Sequence, residues 1–438
     1  MWQVSHKKTA SFDGFSHVDR AAPPFSAVER PCNLPRGPNT APRRPCLRSA
    51  LQPGPLSPRP RTFSLALMIE RISILGTGLI GGSLGLAWKE RRPDCTVVGH
   101  DRPEVLETAA ARGAIDEKAA DPVTAVEGAD LVVLATPLAK ILRLLEAVGD
   151  HVPDDAVITD VGSVKQPVLD QAADVLPPGV SFLGGHPMAG AEEAGIDHAD
   201  GLLFENAVYV LCLPDGRDEA ALDGPLAPVV DLVEVTGARP LVLPPERHDR
   251  LVAAVSHLPQ LLAVALVNTV TDADDPDEAT NLALELAGGG FRDMTRIADS
   301  PFEMWRDILV GNEGAIHDAL SRLRRHLRAM RNRLIEEDLD ALEELFEDAR
   351  AARDSMPQDS KGFLRPLADV YVRAPDRPGV IHDISGHLLE ADINIKDMEL
   401  QTIREGTGGT FRLAFEDGAT AEEAAAILSD ADYEAWRP

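Results

Sequence analysis

The sequence predicts an α/β domain with a parallel sheet, then an all-helical segment, then a small α+β unit at the carboxyl end. From Ile69 onward, short apolar runs alternate with glycine turns and helical patterns, which is typical of a parallel sheet. After about residue 245 the strand signals stop and long helices follow, and beyond Leu367 short strands return around two helices. The boundaries expected are 68–244, 245–353 and 366–438, with a linker at 354–365.

The composition is that of a soluble globular protein of two or three domains. Of the 438 residues, 44% are hydrophobic and 26% are charged. The net charge of −28 argues against nucleic acid as a partner, because phosphate binding needs clustered Lys and Arg. The longest apolar stretch, Leu251–Val270, is interrupted by Ser256, Pro259 and Asn268 among others. We therefore expect a buried helix there and no membrane span.

Residues 1–67 differ from the rest of the chain in composition. They contain ten Lys and Arg residues, three Asp and Glu residues and eleven of the 34 prolines. Such a segment buries too little apolar surface to offset its ordering entropy, so we expect disorder. An organellar transit peptide is an alternative, although prolines break the amphipathic helix that it needs. A misassigned start, with Met68 as the true first residue, is the favoured interpretation.

The acidic part of the chain and its cysteines bear on the environment. From residue 68 the net charge is −35 and the cations are nearly all Arg, which fits salt adaptation or a GC-rich genome. The four cysteines, at positions 32, 46, 95 and 212, show no metal-ligand spacing, so no metal is expected. Cys95 and Cys212 lie in apolar runs and are expected to be core residues in a reducing cytoplasm.

A glycine-rich turn separates the first predicted strand from the first predicted helix. It follows the apolar run Ile72–Leu75. In this spacing the first glycine permits a tight turn, the second lets a pyrophosphate approach the backbone, and the third allows close helix packing. The phosphates then meet the free N–H groups of the helix. The turn predicts a Rossmann-type dinucleotide site, a glycine turn without nucleotide being the alternative. The residues concerned are Gly76, Gly78, Leu79, Ile80 and Gly81.

An acidic residue at the end of the second predicted strand indicates which dinucleotide binds. Asp101 lies twenty residues past Gly81 and follows Thr96–His100. Its carboxylate can accept hydrogen bonds from a ribose diol and would repel a 2′-phosphate, so NAD is favoured over NADP. NADP is the alternative, because the adjacent Arg102 could pair with a 2′-phosphate.

Four further strands are expected in this domain. They are Leu131–Ala135, Val157–Asp160, Val180–Leu183 and Val208–Leu213. The segments that follow two of them are polar, which places Ser163 and His186 after strands, at the carboxyl edge of the sheet. Ligands of α/β proteins bind at that edge. Asp293 and Arg296 lie at i and i+3 on one helical face.

Each of these polar residues has an ordinary structural interpretation on its own. A histidine after a strand is usually a surface residue, His257 in an apolar helix is usually a core residue, and an Asp–Arg pair is usually a salt bridge. The neighbouring cofactor site changes the balance, because a substrate must lie beside it. A hydride donor that bears a hydroxyl needs a base, for which His is suited, and an anionic substrate needs a buried Arg.

Together these segments resemble one family. The motifs are Gly76–Leu84, Thr136-Pro137, Asp160–Lys165, Gly185–Gly190, Ser256–Pro259 and Phe291–Arg296. In this order, from about Ile69 to Arg350, the chain resembles prephenate dehydrogenase, the enzyme of the tyrosine branch. The resemblance implies oxidative decarboxylation of prephenate to 4-hydroxyphenylpyruvate. It also implies that Thr136 and Pro137 border the cofactor.

The resemblance also implies roles for residues of the substrate site. His186 would accept the hydroxyl proton, and Ser163 would hydrogen-bond His186 and the hydroxyl. Arg296 would bind a substrate carboxylate, with Asp293 orienting it or gating the site. Three further positions would line or close the pocket. They are Glu192, His257 and Trp305.

One departure from the family pattern bears on the substrate. Some members have a second histidine where this chain has Gln260. Arogenate, the amino analogue of prephenate, carries an ammonium where prephenate has a ketone. A carboxylate near that group would favour arogenate, whereas neutral Gln260 gives no such preference. Prephenate is therefore the expected substrate, with arogenate or dual use as the alternative.

The carboxyl-terminal unit follows the order strand, helix, strand, strand, helix, strand. The segments Asp376–Val380 and Ala391–Ile395 resemble those of an ACT domain, a ferredoxin-like module that binds amino acids at subunit interfaces. The resemblance implies regulation, with tyrosine as effector, and a purely oligomerising unit is the alternative. The apolar surface of the helical segment after residue 245 predicts a homodimer interface.

Two other classes of protein share some of these features. Another ACT-bearing NAD enzyme, such as a phosphoglycerate dehydrogenase, has its Rossmann unit inserted within a second α/β domain, whereas here that unit comes first. A catalytically inactive regulator that senses NAD and an amino acid is the second. The presence of Ser163, His186 and Arg296 argues against an inactive protein.

Overall fold

The computed structural model describes residues 69–190, 193–214, 219–272, 279–355, 367–404 and 408–437. Its first part contains an eight-stranded sheet in the order β3-β2-β1-β4-β5-β6-β7-β8. The strands are β1 (Arg71–Leu75), β2 (Thr96–His100), β3 (Glu117–Lys118), β4 (Leu131–Leu134), β5 (Val157–Asp160), β6 (Ser181–Pro187), β7 (Val208–Cys212) and β8 (Arg239–Val242). Neighbouring strands are parallel except β6 and β7, which are antiparallel.

Six helices pack on this sheet. They are α1 (Leu79–Arg91), α2 (Pro103–Ala111), α3 (Pro122–Val126), α4 (Leu138–Val148), α5 (Gln166–Val175) and α6 (Ala227–Val235). Because side chains alternate along a strand, each central strand contributes to two cores. Ile72 and Ile74 of β1 lie in one apolar cluster, and Leu75 lies in the other. The sheet is thus covered on both faces, as the expected α/β class requires.

The strand boundaries differ from expectation at one functionally important place. The strand expected to end at Leu183 continues to Pro187, so His186 lies inside β6 and not after it. The extension pairs antiparallel with β7, with His186 opposite Val210. This extension of β6 was not predicted because it contains Gly184 and Gly185, and glycine is depleted in strands. Two short strands, β3 and β8, were also missed.

The second part of the chain is helical, as expected. Its helices are α7 (Pro245–Val252), α8 (Leu258–Thr271), α9 (Ala279–Glu285), α10 (Gly289–Thr295), α11 (Phe302–Gly311), α12 (Glu313–Ile335) and α13 (Leu339–Asp354). One turn of π-helix, Ala253–His257, joins α7 to α8 without a break. A 3-10 turn, Arg296–Asp299, follows α10.

The continuous helix Pro245–Thr271 does not match the expectation of a buried helix. Only 28% of its most apolar window is buried, and the window has a mean hydropathy of 1.7. By length and composition alone it is apolar enough to cross a membrane, a test that the core helices of soluble proteins also pass. The absence of a membrane span therefore stays a prediction. Two polar residues of this helix, His257 and Gln260, are buried.

The carboxyl-terminal unit has the expected order of elements. It contains β9 (Ala368–Ala374), α14 (Val380–Glu390), β10 (Asp397–Arg404), β11 (Gly408–Phe415), α15 (Gly418–Asp430) and β12 (Glu434–Trp436). The strand order is β10-β11-β9-β12 and each pair is antiparallel. Val370, Val372 and Leu413 lie in its core with residues of both helices. The leader predicted at 1–67 and most of the linker at 354–365 lie outside the described residues.

Candidate active site

The glycine turn has the geometry that a dinucleotide site requires. Gly76 has a φ of +106°, and a Cβ there would collide with the carbonyl oxygen of Ala135. A Cβ on Gly81 would collide with the carbonyl oxygen of Gly76, so the helix α1 can approach β1 only with glycine here. At Gly78 no atom lies within 4 Å of the Cβ position. The backbone at Gly78 is therefore open to a ligand.

The polar groups around this turn fit NAD. The first turn of α1 contains no acidic residue, and no side chain caps its N-terminus. The hydroxyls of Thr77 and Thr136 are buried, and neither has a hydrogen-bond partner among the described residues. Leu79 and Ile80 are the first residues of α1, and Pro137 is the N-cap residue of α4. A pyrophosphate at the helix N-terminus would meet free N–H groups there.

Asp101 lies at the end of β2, beside the turn. One of its carboxylate oxygens accepts a hydrogen bond of 2.9 Å from the backbone N–H of Thr77, and the other accepts one of 2.7 Å from that of Arg102. The carboxylate is thereby fixed at the carboxyl edge, where a ribose diol can donate to its remaining lone pairs. The side chain of Arg102 is 74% exposed and lies 3.5 Å from Glu104.

His186 is buried at one end of a hydrogen-bonded chain. Its Nδ1 lies 2.8 Å from Nε2 of His248, and Nδ1 of His248 lies 2.8 Å from Oδ1 of Asp249. The same Asp249 carboxylate accepts backbone N–H bonds of 2.8 Å from Lys165 and 2.9 Å from Gln166. The histidine of β6 is thus tied to α7 and to the start of α5.

A fully buried ion pair lies next to this chain. Nζ of Lys165 donates to Oδ2 of Asp160 and, at 2.6 Å, to the carbonyl oxygen of Gly185. Asp160 also accepts a 2.8 Å bond from the backbone N–H of Gly162. Burial lowers the pKa of His186 well below 6.5, and the positive charge of Lys165 lowers it further. His186 is therefore a neutral imidazole near pH 7, the form that can accept a proton.

His257 joins the same network from the π-helical turn. Nδ2 of Asn312 lies 3.3 Å from Nδ1 of His257 and donates at 2.8 Å to the carbonyl oxygen of Asp249. The ring of His257 meets that of Trp305 edge-on, with centroids 6.0 Å apart. Burial lowers the pKa of His257 to about 4, although Asp249 opposes the shift. The indole N–H of Trp305 is buried, and no hydrogen-bond partner for it lies within the described ranges.

The predicted carboxylate-binding pair lies at the surface of the single chain. A buried Arg was expected, but Arg296, at the start of its 3-10 turn, is exposed, and so is Asp293 on α10. The reason is that neither α10 nor this turn contains a buried residue. Both pack against α8, which holds Gln260 at 5% exposure on its first turn.

Two predicted contacts stay predictions. The resemblance implied a hydrogen bond between Ser163 and His186, and Ser163 lies half-buried between β5 and α5. The bond of the His186 ring in the described part of the chain is the one to His248. Glu192 lies outside the described residues.

Sequence reasoning missed His248, Asp249 and Asn312. The sequence of α7 is highly charged, which is typical of a solvent-exposed helix. Yet its buried residues are Pro245, His248, Asp249 and Val252, at positions i, i+3, i+4 and i+7. That spacing marks the inward face of a helix, and two polar residues on such a face are a signal of a buried polar network. These residues could have been predicted from their positions on one face of the helix, although not from the composition of the segment.

A dinucleotide turn after β1 and a buried, neutral histidine near the carboxyl end of β6, in the same sheet, are the features of a nicotinamide-dependent dehydrogenase. Comparison with known families gives three matches along the chain. Residues 84–242 match the prephenate dehydrogenase nucleotide-binding domain, residues 244–348 match the prephenate dehydrogenase dimerization domain, and residues 368–432 match the ACT domain.

Comparison with individual proteins gives the same family. A prephenate dehydrogenase of Bacillus subtilis is 36% identical over 374 residues, which cover 84% of this chain and 98% of that protein. The chain therefore belongs to the prephenate dehydrogenase family and is an NAD-binding enzyme, as the sequence motifs implied.

Solved structures support the same assignment. The prephenate dehydrogenase of A. aeolicus, in complex with hydroxyphenyl propionate and NAD+, superposes with a TM-score of 0.60 at 28% identity, covering 66% of this chain and 98% of that one. An arogenate dehydrogenase of Synechocystis gives a TM-score of 0.58 at 31% identity, covering 65% of this chain and 99% of that one. The family therefore includes proteins named for either substrate.

Proposed function

We propose that the protein catalyses the NAD-dependent oxidative decarboxylation of prephenate to 4-hydroxyphenylpyruvate in tyrosine biosynthesis. The observation that carries the proposal is His186, a buried neutral imidazole near the carboxyl end of β6, in the sheet that also carries the dinucleotide turn. Prephenate carries a hydroxyl and a hydrogen on the same ring carbon, so its oxidation needs a base for the hydroxyl proton. His186 is the side chain with the protonation state to do this.

The residues of the chain divide the work of the reaction. NAD+, when bound, supplies the acceptor for the hydride that leaves the ring carbon. His186 takes the hydroxyl proton as the carbon–oxygen double bond begins to form. The ring carboxylate leaves as CO2, and the electrons of the broken bond complete the aromatic ring. Ser163, between β5 and α5, would bond the hydroxyl and hold it against His186.

The substrate carboxylates need cationic partners, and Arg296 is the candidate. It lies on the turn that packs against α8, the helix that contains Gln260 and follows His257. The guanidinium fork can pair with a carboxylate through two hydrogen bonds. Trp305 and His257 would form an apolar wall, and Asp293 and Glu192 would orient Arg296 or close the site.

Prephenate is favoured over arogenate by the charge of the pocket. Gln260 is buried and neutral at a position that would face the side chain of the substrate. A buried ammonium without a carboxylate partner is strongly disfavoured, whereas the ketone of prephenate needs only a hydrogen-bond donor such as an amide. Arogenate, or use of both substrates, is the second candidate, and the similarity to an arogenate dehydrogenase keeps it in view.

Regulation by tyrosine and a homodimer complete the proposal. The ACT domain is the expected effector site, and a cleft in it is lined by Asn394, Lys396 and Glu416 among others. Charges of both signs suit the carboxylate and ammonium of an amino acid. The helical domain, which matches a dimerization domain, would pair two chains. We expect this enzyme to work in the cytoplasm.

Replacing His186 tests the proposal against a protein that only senses NAD. His186→Asn should leave the Kd for NAD+ unchanged and lower kcat with prephenate by about 10²–10⁴-fold, the usual contribution of a general base. NAD+ binding by fluorescence and NADH formation measure the two effects. A wild-type protein that binds NAD+ but does not turn over prephenate would support the sensor instead.

A further inference from the structure

The base proposed above is one end of a chain of three buried titratable side chains. His186, His248 and Asp249 are connected by two hydrogen bonds of 2.8 Å each. His248 is 1% exposed and Asp249 is 5% exposed. His248 and Asp249 lie on α7, while His186 lies on β6. This hydrogen-bonded chain therefore forms only when the helical domain is docked on the sheet.

The positions of the protons in this chain follow from its two ends. A carboxylate is an acceptor only, so Nδ1 of His248 must donate to Asp249. A neutral His248 then has its lone pair on Nε2, and the hydrogen bond between the rings must be donated by Nδ1 of His186. That leaves the lone pair of a neutral His186 on Nε2. The carboxylate of Asp249 thus determines which nitrogen of His186 can act as a base.

We propose that His248 and Asp249 are positioning residues, which hold His186 as the tautomer with a basic Nε2 and take up the positive charge that forms on it. This inference rests on the proposed role of His186 as proton acceptor. When Nε2 receives the hydroxyl proton, the proton on Nδ1 can pass to Nε2 of His248. One proton enters the chain and one moves along it, with no change in electron count. The cation then lies on His248, in direct contact with the Asp249 carboxylate.

The charges around His186 make such a transfer useful. The charge of Lys165 opposes a positive charge on His186, as His248 and His257 would if they were protonated. Asp160 is occupied by Lys165. Asp249 is the acidic group that the hydrogen bonds connect to His186, through His248. Moving the charge by one ring therefore places it in direct contact with a carboxylate.

Replacing His248 with Asn or with Gln tests the roles of its two ring nitrogens one at a time. His248→Asn keeps a donor near Nδ1, which can still bond Asp249, and removes the acceptor for His186. His248→Gln places an amide oxygen near Nε2, which can hold the tautomer of His186 but cannot take a proton. Asp249→Asn removes the negative charge. A matched control is the exposed pair His317 and Asp318, with side chains 79% and 72% exposed, changed in the same way.

The kinetic result expected is a graded loss. In the full-length protein with NAD+ and prephenate, kcat should fall about a hundredfold in H248N and about tenfold in H248Q, while the KM values change little. In H248Q and D249N the acid limb of the kcat profile should move to lower pH, because the protonated base loses its stabilisation. The control variants should match wild type. If kcat in H248N stays within about threefold of wild type, the proposal is overturned, and a loss without movement of the limb in H248Q and D249N overturns it too.

A spectroscopic measurement keeps this test independent of the substrate and of the folding of variants. In wild-type protein with NAD+ bound and 15N-labelled histidines, NMR should show a proton on Nδ1 of His186 and none on Nε2. The same protein should show a proton on Nδ1 of His248. A proton on Nε2 of His186 at neutral pH would overturn the inference. If this tautomer is found but prephenate is not turned over, the proposed reaction is wrong. The inference that His248 and Asp249 set the tautomer of His186 is then still supported.

Discussion

At the scale of single residues, His257 connects the site to the stability of the fold. It is 1% exposed, and burial lowers its pKa from 6.5 to about 4. An imidazole that is neutral in the folded state becomes protonated in the unfolded chain at a higher pH. Its contribution to stability is therefore fully present above pH 6.5 and is lost as the pH falls toward the folded value.

The free energy of unfolding should accordingly decrease between about pH 7 and pH 4. The expected loss from His257 alone is about 3 kcal/mol, and His186, whose pKa is also lowered, acts in the same direction. Urea denaturation at several pH values measures it. His257→Gln, which cannot be protonated, should give a shallower pH dependence than wild type. Parallel curves for the two proteins would contradict the assignment.

Individual site residues were predictable from the sequence where they follow a recognisable local pattern. Asp101 at the end of a strand and the glycines of the turn are of this kind, because their positions depend on a few neighbouring residues. The link from His186 to His248 was not predictable. It joins residues 62 positions apart and depends on how α7 docks against β6. Tertiary contacts of this kind leave little trace in the local composition.

At the scale of elements, the helix Pro245–Thr271 has two different sides. His248, His257 and Gln260 are buried on one, while Leu251, Val255 and Val264 are 45%, 68% and 38% exposed on the rest of its surface. The domain that it begins matches a dimerization domain. An apolar surface of this kind is what a partner chain would cover in a homodimer.

Charged residues on this apolar surface should weaken the dimer. We expect Val255→Lys combined with Val264→Lys to shift the protein toward monomer, because two Lys side chains would be desolvated at the interface. Light scattering after size-exclusion chromatography gives the mass. Leu202→Lys, at a position 58% exposed in the first domain, is the matched control and should remain dimeric. A double variant that stays fully dimeric would place the interface elsewhere.

Element types were easier to predict from sequence than element ends. Thr96–His100 and Val157–Asp160 have the bounds expected, since β-branched apolar runs are bounded by polar or turn residues. β6 runs four residues further than expected through two glycines, because pairing with β7 supplies hydrogen bonds that no local pattern shows. β3 has only two residues, both exposed, and carries no apolar signal at all.

At the scale of the whole molecule, the ACT domain is expected to couple the supply of tyrosine to the rate of the reaction. Removing residues 366–438 should therefore abolish inhibition by tyrosine and leave kcat without tyrosine close to that of the full chain. Initial rates of NADH formation over a tyrosine titration measure both. Unchanged inhibition in the shortened protein would move the effector site to the catalytic domains, and loss of basal activity would indicate a structural role.

The order of the three units was the most predictable property of the molecule. The glycine turn, the helical periodicity after residue 245 and the strand–helix alternation after Leu367 each lie within a continuous stretch of sequence. The exposure of Arg296 was not predictable in this way. It depends on what covers α10, which no local pattern specifies.

The central claim, oxidation of prephenate by transfer of hydride to NAD+, has a direct test. The purified full-length protein is incubated with NAD+ and either prephenate or arogenate, and NADH and the aromatic product are quantified together. We predict equal amounts of NADH and 4-hydroxyphenylpyruvate from prephenate, and much slower formation of NADH from arogenate. Absence of NADH with prephenate, or faster oxidation of arogenate, would contradict the claim.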